Sequence, residues 1–416
     1  MVHHVNHENM TYFPNISIQT SDSYNVDAFG RIRVGSPQTL FDSKQSTDDR
    51  SIYWDTKLVL GATSSYVRNR ASTTLSVSAT TGSTAIRQSK THASYQPGKS
   101  LHIVMTQVFG PTLPGIRRRA GLFDDRNGIY VQTSGSTTSI VLRSSTSGTP
   151  VDTQVDQNDW NIDKLDGTGI SRITLDMSKV NIIETDLQWL GSGRVRVGFE
   201  FAGVTYYAHQ FLTSNVDTSV YMSTPDLPVR YEISNVSSAT TGTLEHICAS
   251  ITSEGGYEPK NLQFGVDRSL TLLSGVTSAG QIPLISIRTN PSCTGSFILP
   301  TGGSMICTTT ATSGFRWSLL LNPTIAGTDN VSWTNVLSSS VQYDINRNAS
   351  NVATNGIKIT SGYSVGNQDF GDLLVNTLNN LGSTIDGRPD EVVLCVQLLG
   401  VGTDSFLGSL TWEEFT

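Results

Sequence analysis

IIETDLQWL, Gly191-Ser192-Gly193, RVRVGFEF, Ala202-Gly203, VTYYAHQF: this stretch, Ile182 to Phe211, decides the fold. In its middle segment Val195, Val197, Phe199 and Phe201 alternate with Arg194, Arg196, Gly198 and Glu200. A period of two places one apolar row on one face of a β-strand. Each Val or Phe taken out of water contributes about 1.5–3 kcal/mol, so that face demands a second layer to pack against. Gly193 and Gly203 stand where the alternation stops and are expected to take the positive φ of tight hairpin turns. The reading is a three-strand antiparallel meander within a β-sandwich.

The same pattern extends in both directions. From Ser51 onward TKLVLGA, TTLSVSA, STAIRQS, SLHIVMTQVF, GIYVQTSG and SIVLRSS follow one another, separated by Gly-, Ser-, Pro- or Asp-rich turns. With SVYMST, LPVRYEI and LEHICASITSE after the meander, they predict a large antiparallel β-sandwich of jelly-roll type over residues 46–254. The paired glycines and the proline of Glu254-Gly255-Gly256-Tyr257-Glu258-Pro259 mark a boundary. Residues 255–416 read as a second β-rich domain, with SLTLLSG, PLISIRT, SFILPTG, FRWSLLLNP and VVLCVQLLG as strands. One short helix is expected there, capped by Asp369, carrying Phe370, Leu374, Leu378 and Leu381 at helical spacing and stopped by Gly382.

Residues 1–45 differ from both. Pro14, Gly30, Gly35 and Pro37 interrupt any long element, yet Tyr12, Phe13, Tyr24, Phe29, Ile32, Val34 and Phe41 are too apolar for a solvated tail. An extended attachment arm reconciles the two. Arg31 and Arg33 alternate with Ile32 and Val34, as in a strand added to an exposed sheet edge. Phe29 and Phe41 would anchor it, and its removal is expected to leave a folded β-protein.

Composition narrows the function. The chain of 416 residues is 37% hydrophobic and 15% charged, with a net charge of −7. That balance disfavours a general nucleic-acid binder, and Arg117-Arg118-Arg119 is closely followed by Asp124-Asp125. No segment reaches about 18 consecutive apolar residues, so no membrane-inserted helix is expected. MVHHVNHENM lacks the pattern of a secretory signal. Cys248, Cys293, Cys307 and Cys395 are widely spaced and read as free thiols.

Candidate sites are few. His3, His4 and His7 have nothing to fix a metal geometry, and no cofactor motif occurs. Asp159, Asn161 and Asp163 repeat as in a calcium loop, but Lys164 stands where that loop needs Gly and Ile170 where it needs Glu. An oxygen cage of another kind around Asp163 and Asp166 stays open beside a plain inter-strand loop. Trp160, with Asp159, Asp163 and Asp166 beside it, is the place expected for a surface contact such as a host glycan. There is no G-x-S-x-G, H-E-x-x-H or Walker loop, and no enzyme is expected.

Six blocks carry a family resemblance: DAFGRIRVGSPQTLFDSKQ (27–45), IRQSKTHASYQPGKS (86–100), RRRAGLFDDRNGIY (117–130), DWNIDKLDGTG (159–169), WLGSGRVRVGF (189–199) and LPVRYEI (227–233). They resemble virion structural proteins of tailed bacteriophages, especially those of aquatic hosts. The resemblance covers about the first 255 residues, and the remainder resembles nothing nameable. It implies a virion component of the tail, baseplate or fibre apparatus, made in the host cytoplasm and partnered by copies of itself and other virion proteins. A capsid decoration or head-fibre protein is the alternative within that class, and a glycan-binding or glycan-degrading receptor module the alternative outside it. The resemblance carries no catalytic residues.

Overall fold

A computed structural model of the chain describes residues 36–415 except 238–239, 259, 294, 309–313, 328–330, 366 and 371–380. The protein is all-β, with a first antiparallel sandwich of jelly-roll type and a second β-rich unit. In the first sandwich the strands are β1 (Gln38–Lys44), β2 (Trp54–Val59), β3 (Thr63–Val67), β4 (Ser72–Val77), β5 (Thr84–Ser89), β6 (Leu101–Val108), β7 (Ile116–Phe123) and β8 (Gly128–Ser134). They continue as β9 (Thr137–Ser144), β10 (Val151–Asp156), β11 (Val180–Leu187), β12 (Arg194–Phe201), β13 (Val204–Leu212), β14 (Val229–Asn235) and β15 (Gly242–Ser253). One sheet runs β13-β12-β11-β6-β15-β4-β3, and the other runs β10-β9-β8-β7-β14-β5-β2.

The meander lies at one end of the first of these sheets, as the alternation predicts. Val195, Val197 and Phe199 are buried in the core between the sheets, together with Ile183, Leu187, Tyr231 and Ile233. Its turns differ in detail from the expectation. Ala202 and Gly203 both have positive φ, at 53° and 82°, which makes a two-residue turn whose twist suits the hairpin. In the other turn Leu190 and Gly191 take positive φ, and Gly193 does not. Glycine is required at 193 for space, since a Cβ there would overlap the Gln188 carbonyl oxygen.

The first sandwich begins earlier than the composition predicts. β15 pairs along one edge with β6; on its other edge β4 takes Gly242–His246, and β1 takes the rest through pairs such as Phe41 with Ile251. Phe41 is buried against the edge of Trp54 at 5.6 Å between ring centroids, and the Trp54 indole donates to Ser43 Oγ at 2.8 Å. Arg87, buried beneath, donates to His246 Nδ1 at 3.2 Å and also to the Asp49 carbonyl, tying the link from β1 to β2 onto the core. Burial pulls the Arg87 guanidinium down to about 10. Residues 38–50 therefore belong to the sandwich and not to an arm. Phe29, Arg31, Ile32, Arg33 and Val34 lie outside the described residues.

The second unit has its own core of Phe315, Trp317, Leu394, Phe406, Leu410 and Trp412. Its long final strand, Asp404–Phe415, pairs with both Asn261–Asp267 and Phe297–Cys307. Strand Ile282–Thr289 lies between Val341–Asp344 and Glu391–Leu398 in a facing sheet. The expected helix does not begin at Asp369: Asp369 and Phe370 lie in a strand, Asn367–Phe370, paired with Phe297–Cys307. Leu374 and Leu378 lie outside the described residues, and Leu381 is buried in the second core. Gly382 serves contact between the units, since a Cβ there would overlap the Lys90 carbonyl oxygen. Nearby, the Ile385 N–H donates to Asp55 Oδ2 at 2.7 Å, and Lys57 pairs with Asp386 at 2.5 Å.

Replacing Phe41 by Ala should lower the stability of the first sandwich by about 3 kcal/mol, because a buried ring is lost from an edge strand that can close only partly. Urea unfolding followed by tryptophan fluorescence reads the effect. A chain beginning at Ser36 should keep the wild-type transition, whereas one beginning after Gln45 should unfold earlier. An unchanged midpoint in the latter would refute the place given to β1.

Candidate functional site: a charged cleft on the outer face

The alternation that buries Ile183, Thr185 and Leu187 turns Glu184 and Asp186 to the opposite face of β11. Asp186 stands across the ladder from Arg196 on β12 and from His102 on β6. Its Oδ2 accepts from the Tyr207 hydroxyl at 2.6 Å and from the Arg196 guanidinium. Arg196 also lies over the Tyr207 ring, 4.1 Å from its centroid. His102 Nε2 lies 3.0 Å from Glu184 Oε2.

Tyr207 reaches this face through a bulge. β12 and β13 pair Val197 with His209 and then Gly198 with Tyr207, so Ala208 is the extra residue on β13. The inserted residue resets the alternation and aims the next side chain outward. Burial, and then its hydrogen bond to Asp186, push the Tyr207 phenol well above its usual range, so it stays protonated and donates. The carboxylate of Asp186 is thereby fixed by two donors on neighbouring strands.

Beside this network lies a cleft of about 340 Å³. Asp186, Gln188, Leu190, Arg194 and Arg196 form one side, while Lys99, Ser100 and Glu254 close the other from the segments flanking β6 and β15. Most of these groups are already engaged. Ser100 Oγ donates to Glu254 at 2.6 Å, and Lys99 Nζ bonds the Gly255 carbonyl. The Arg194 guanidinium and the Gln188 carboxamide, both exposed, have no hydrogen-bond or ion-pair partner among the described residues.

The acidic loop expected to make a surface contact does something else. Trp160 is buried, 3% exposed, and stacks on Phe199 at 6.1 Å. Its indole donates to the Val155 carbonyl at 3.2 Å. A short 3-10 turn, Gln157–Asp159, folds the ring back onto the inner row of β12, so Trp160 is a core residue and not a contact. Asp159 is exposed. Asp163 is buried and accepts from the backbone N–H of Leu165 at 2.9 Å and of Ser171 at 2.7 Å. Burial would raise its pKa, but these hydrogen bonds outweigh it and hold the carboxyl below the usual range. Asp166 is exposed and accepts from Thr168 N–H and hydroxyl at 2.8 and 2.6 Å. These carboxylates staple their own loop, and among the described residues no group of three His, Cys, Asp or Glu is placed to hold a metal. His3, His4 and His7 lie outside the described residues.

A second cleft, of about 520 Å³, lies between the two units, with His92, Tyr95, Asp124 and Asp226 on one wall and Ser296 and Glu414 on the other. Asp226 Oδ1 accepts from the Tyr95 N–H at 2.7 Å, and its carbonyl lies 3.1 Å from His92 Nδ1. Burial pushes the Asp226 carboxyl up to about 6, against the smaller pull of the Tyr95 hydrogen bond. Burial also lowers His92, with Asp124 acting in the opposite sense.

No protein-family model and no curated protein matches the chain. Among solved structures it is similar to a β-glucanase of Bacillus licheniformis, with 11% identity and a TM-score of 0.33 over 52% of this chain and 98% of that one. It is likewise similar to arcelin-5, a lectin-like defence protein of Phaseolus vulgaris, with 12% identity and a TM-score of 0.33 over 53% of this chain and all of that one. A glycosyl hydrolase family protein of Mycobacterium fortuitum gives 8% identity and a TM-score of 0.37 over 51% of this chain and 99% of that one. The class is defined by the chain's own strands and sheets, those of an all-β antiparallel sandwich.

Asp226 gives a pH test of the junction. With its folded pKa raised from 3.8 to about 6, its contribution to stability is fully present below about pH 4 and is lost as pH rises through 6. Asp226→Asn keeps an acceptor for Tyr95 and removes the charge. At pH 8 the variant should be more stable than the wild type by roughly 1–2 kcal/mol, allowing for partial exposure. Thermal unfolding across the range should see the gap close by pH 4; a gap independent of pH would contradict the assignment.

Proposed function

We propose that the chain is a structural component of a tailed-phage virion, of the tail, baseplate or fibre apparatus, acting by assembly with copies of itself and other virion proteins. The observation that carries this reading is the apolar content of a segment broken by Pro14, Gly30 and Gly35. Among the described residues, Leu40 and Phe41 are the first to enter the core of the first sandwich. The sequence ahead of Ser36 nevertheless holds Tyr12, Phe13, Ile16, Tyr24, Phe29, Ile32 and Val34. Such side chains favour burial, and a neighbouring subunit offers the surface. β10 and β13 stand at sheet edges, which an added strand from another chain can extend.

The resemblance to virion structural proteins points the same way. Three of its blocks fall on strands that are neighbours in one sheet: residues 86–100 begin within β5, 117–130 cover most of β7 and the start of β8, and 227–233 enter β14. They thus belong to one continuous part of the first sandwich. The second unit, outside the resemblance, is then the part free to differ in what it meets.

Mass spectrometry of purified particles should find the chain, and particles that lack it while infected cells contain it would refute the reading. Tens of copies or fewer per particle would fit the tail, whereas hundreds would fit a capsid decoration or head-fibre protein. A chain beginning at Ser36 should be folded and soluble yet fail to enter particles. Normal incorporation of that chain would remove the attachment role from the preceding residues.

A further inference from the structure

We propose that the outer-face cleft beside β11 and β12 binds a short saccharide carrying an anionic substituent, with Arg194 as the anion's partner. The proposal stands on which groups in the cleft are engaged. Asp186 is occupied by Arg196 and Tyr207, Glu254 by Ser100, and Lys99 by the Gly255 carbonyl. These pairs set the shape of the cleft and add little net attraction for an outside charge. Arg194 is different: its guanidinium lines the cleft, is exposed and has no partner among the described residues. A planar fork of donors without an acceptor is suited to a carboxylate or phosphate, which it can hold through two parallel hydrogen bonds.

The rest of the cleft fits the body of a sugar. The Gln188 carboxamide supplies one acceptor and two donors, which match adjacent hydroxyls. Leu190, 54% exposed on the same rim, offers an apolar surface to the C–H face of a pyranose ring. A volume of about 340 Å³ is near the lower end of small-ligand sites, so it fits a short saccharide and excludes a bulky one. Both Gln188 and Arg194 lie at the ends of strands whose inner residues are locked in the core, so their backbone positions are fixed before a ligand arrives.

The site is independent of attachment in a virion, so its failure leaves the assembly reading untouched. The test is isothermal titration of the full chain with trigalacturonate and sialyllactose as carboxylate probes, a mannose phosphate as the phosphate probe and lactose as the neutral control. At least one anionic probe should bind, with lactose at least about tenfold weaker, as expected for a charge-assisted pair. Arg194→Ala should abolish that preference with unchanged circular dichroism and melting temperature, and Arg194→Lys should restore only part of it. Carboxylate and phosphate arms then identify the substituent. No binding of any anionic probe, equal binding of lactose, or an Arg194→Ala protein that binds as the wild type does would each overturn the proposal.

Discussion

The structure depends on one constraint: a strand that buries every second side chain must present the others to the opposite face. In β11 and β12 the buried set is Ile183, Leu187, Val195, Val197 and Phe199, packed between two sheets. The opposite set is Glu184, Asp186, Arg194 and Arg196, which forms the charged outer face. A shift of register by one residue would place four charges in the core, at a cost far above the stability of a domain. The hydrophobic row therefore fixes the geometry of the charged cleft as firmly as it fixes the sandwich.

Much of this was legible in the amino-acid sequence because alternation is a local signal. The meander, the sandwich and the β-rich second half follow from periodicity and turn residues alone. The places that differ are those where a distant contact overrides a local pattern. Phe41 reads as part of a broken arm, but β4 leaves half of one edge of β15 unpaired and β1 fills it. Trp160 reads as exposed because its neighbours are acidic, yet the chain turns to lay the ring on Phe199, about forty residues later in the sequence. Gly382 reads as the stop of a helix, and its real constraint is a carbonyl nearly three hundred residues earlier.

The outer-face site was half legible. Glu184 and Asp186 sit at alternating positions in the very stretch that reveals the strand, so their shared face is readable. Tyr207 is not, because the bulge at Ala208 changes which residues face outward without leaving a mark in composition. Nor does any spacing reveal that His102 would come within reach of Glu184, since β6 and β11 are separated by five other elements in the chain. The junction cleft is wholly tertiary: Asp226 and Glu414 come from units with separate cores.

The central proposal is that this sandwich is a building block of a larger assembly and that the residues ahead of it serve contact with a neighbour. A cryo-electron microscopy map of the particle tests it most directly. Repeated density for the paired β-units, with chain ahead of Gln38 crossing onto an adjacent subunit, is the expected result. Density in which that segment folds back onto its own sandwich would contradict it.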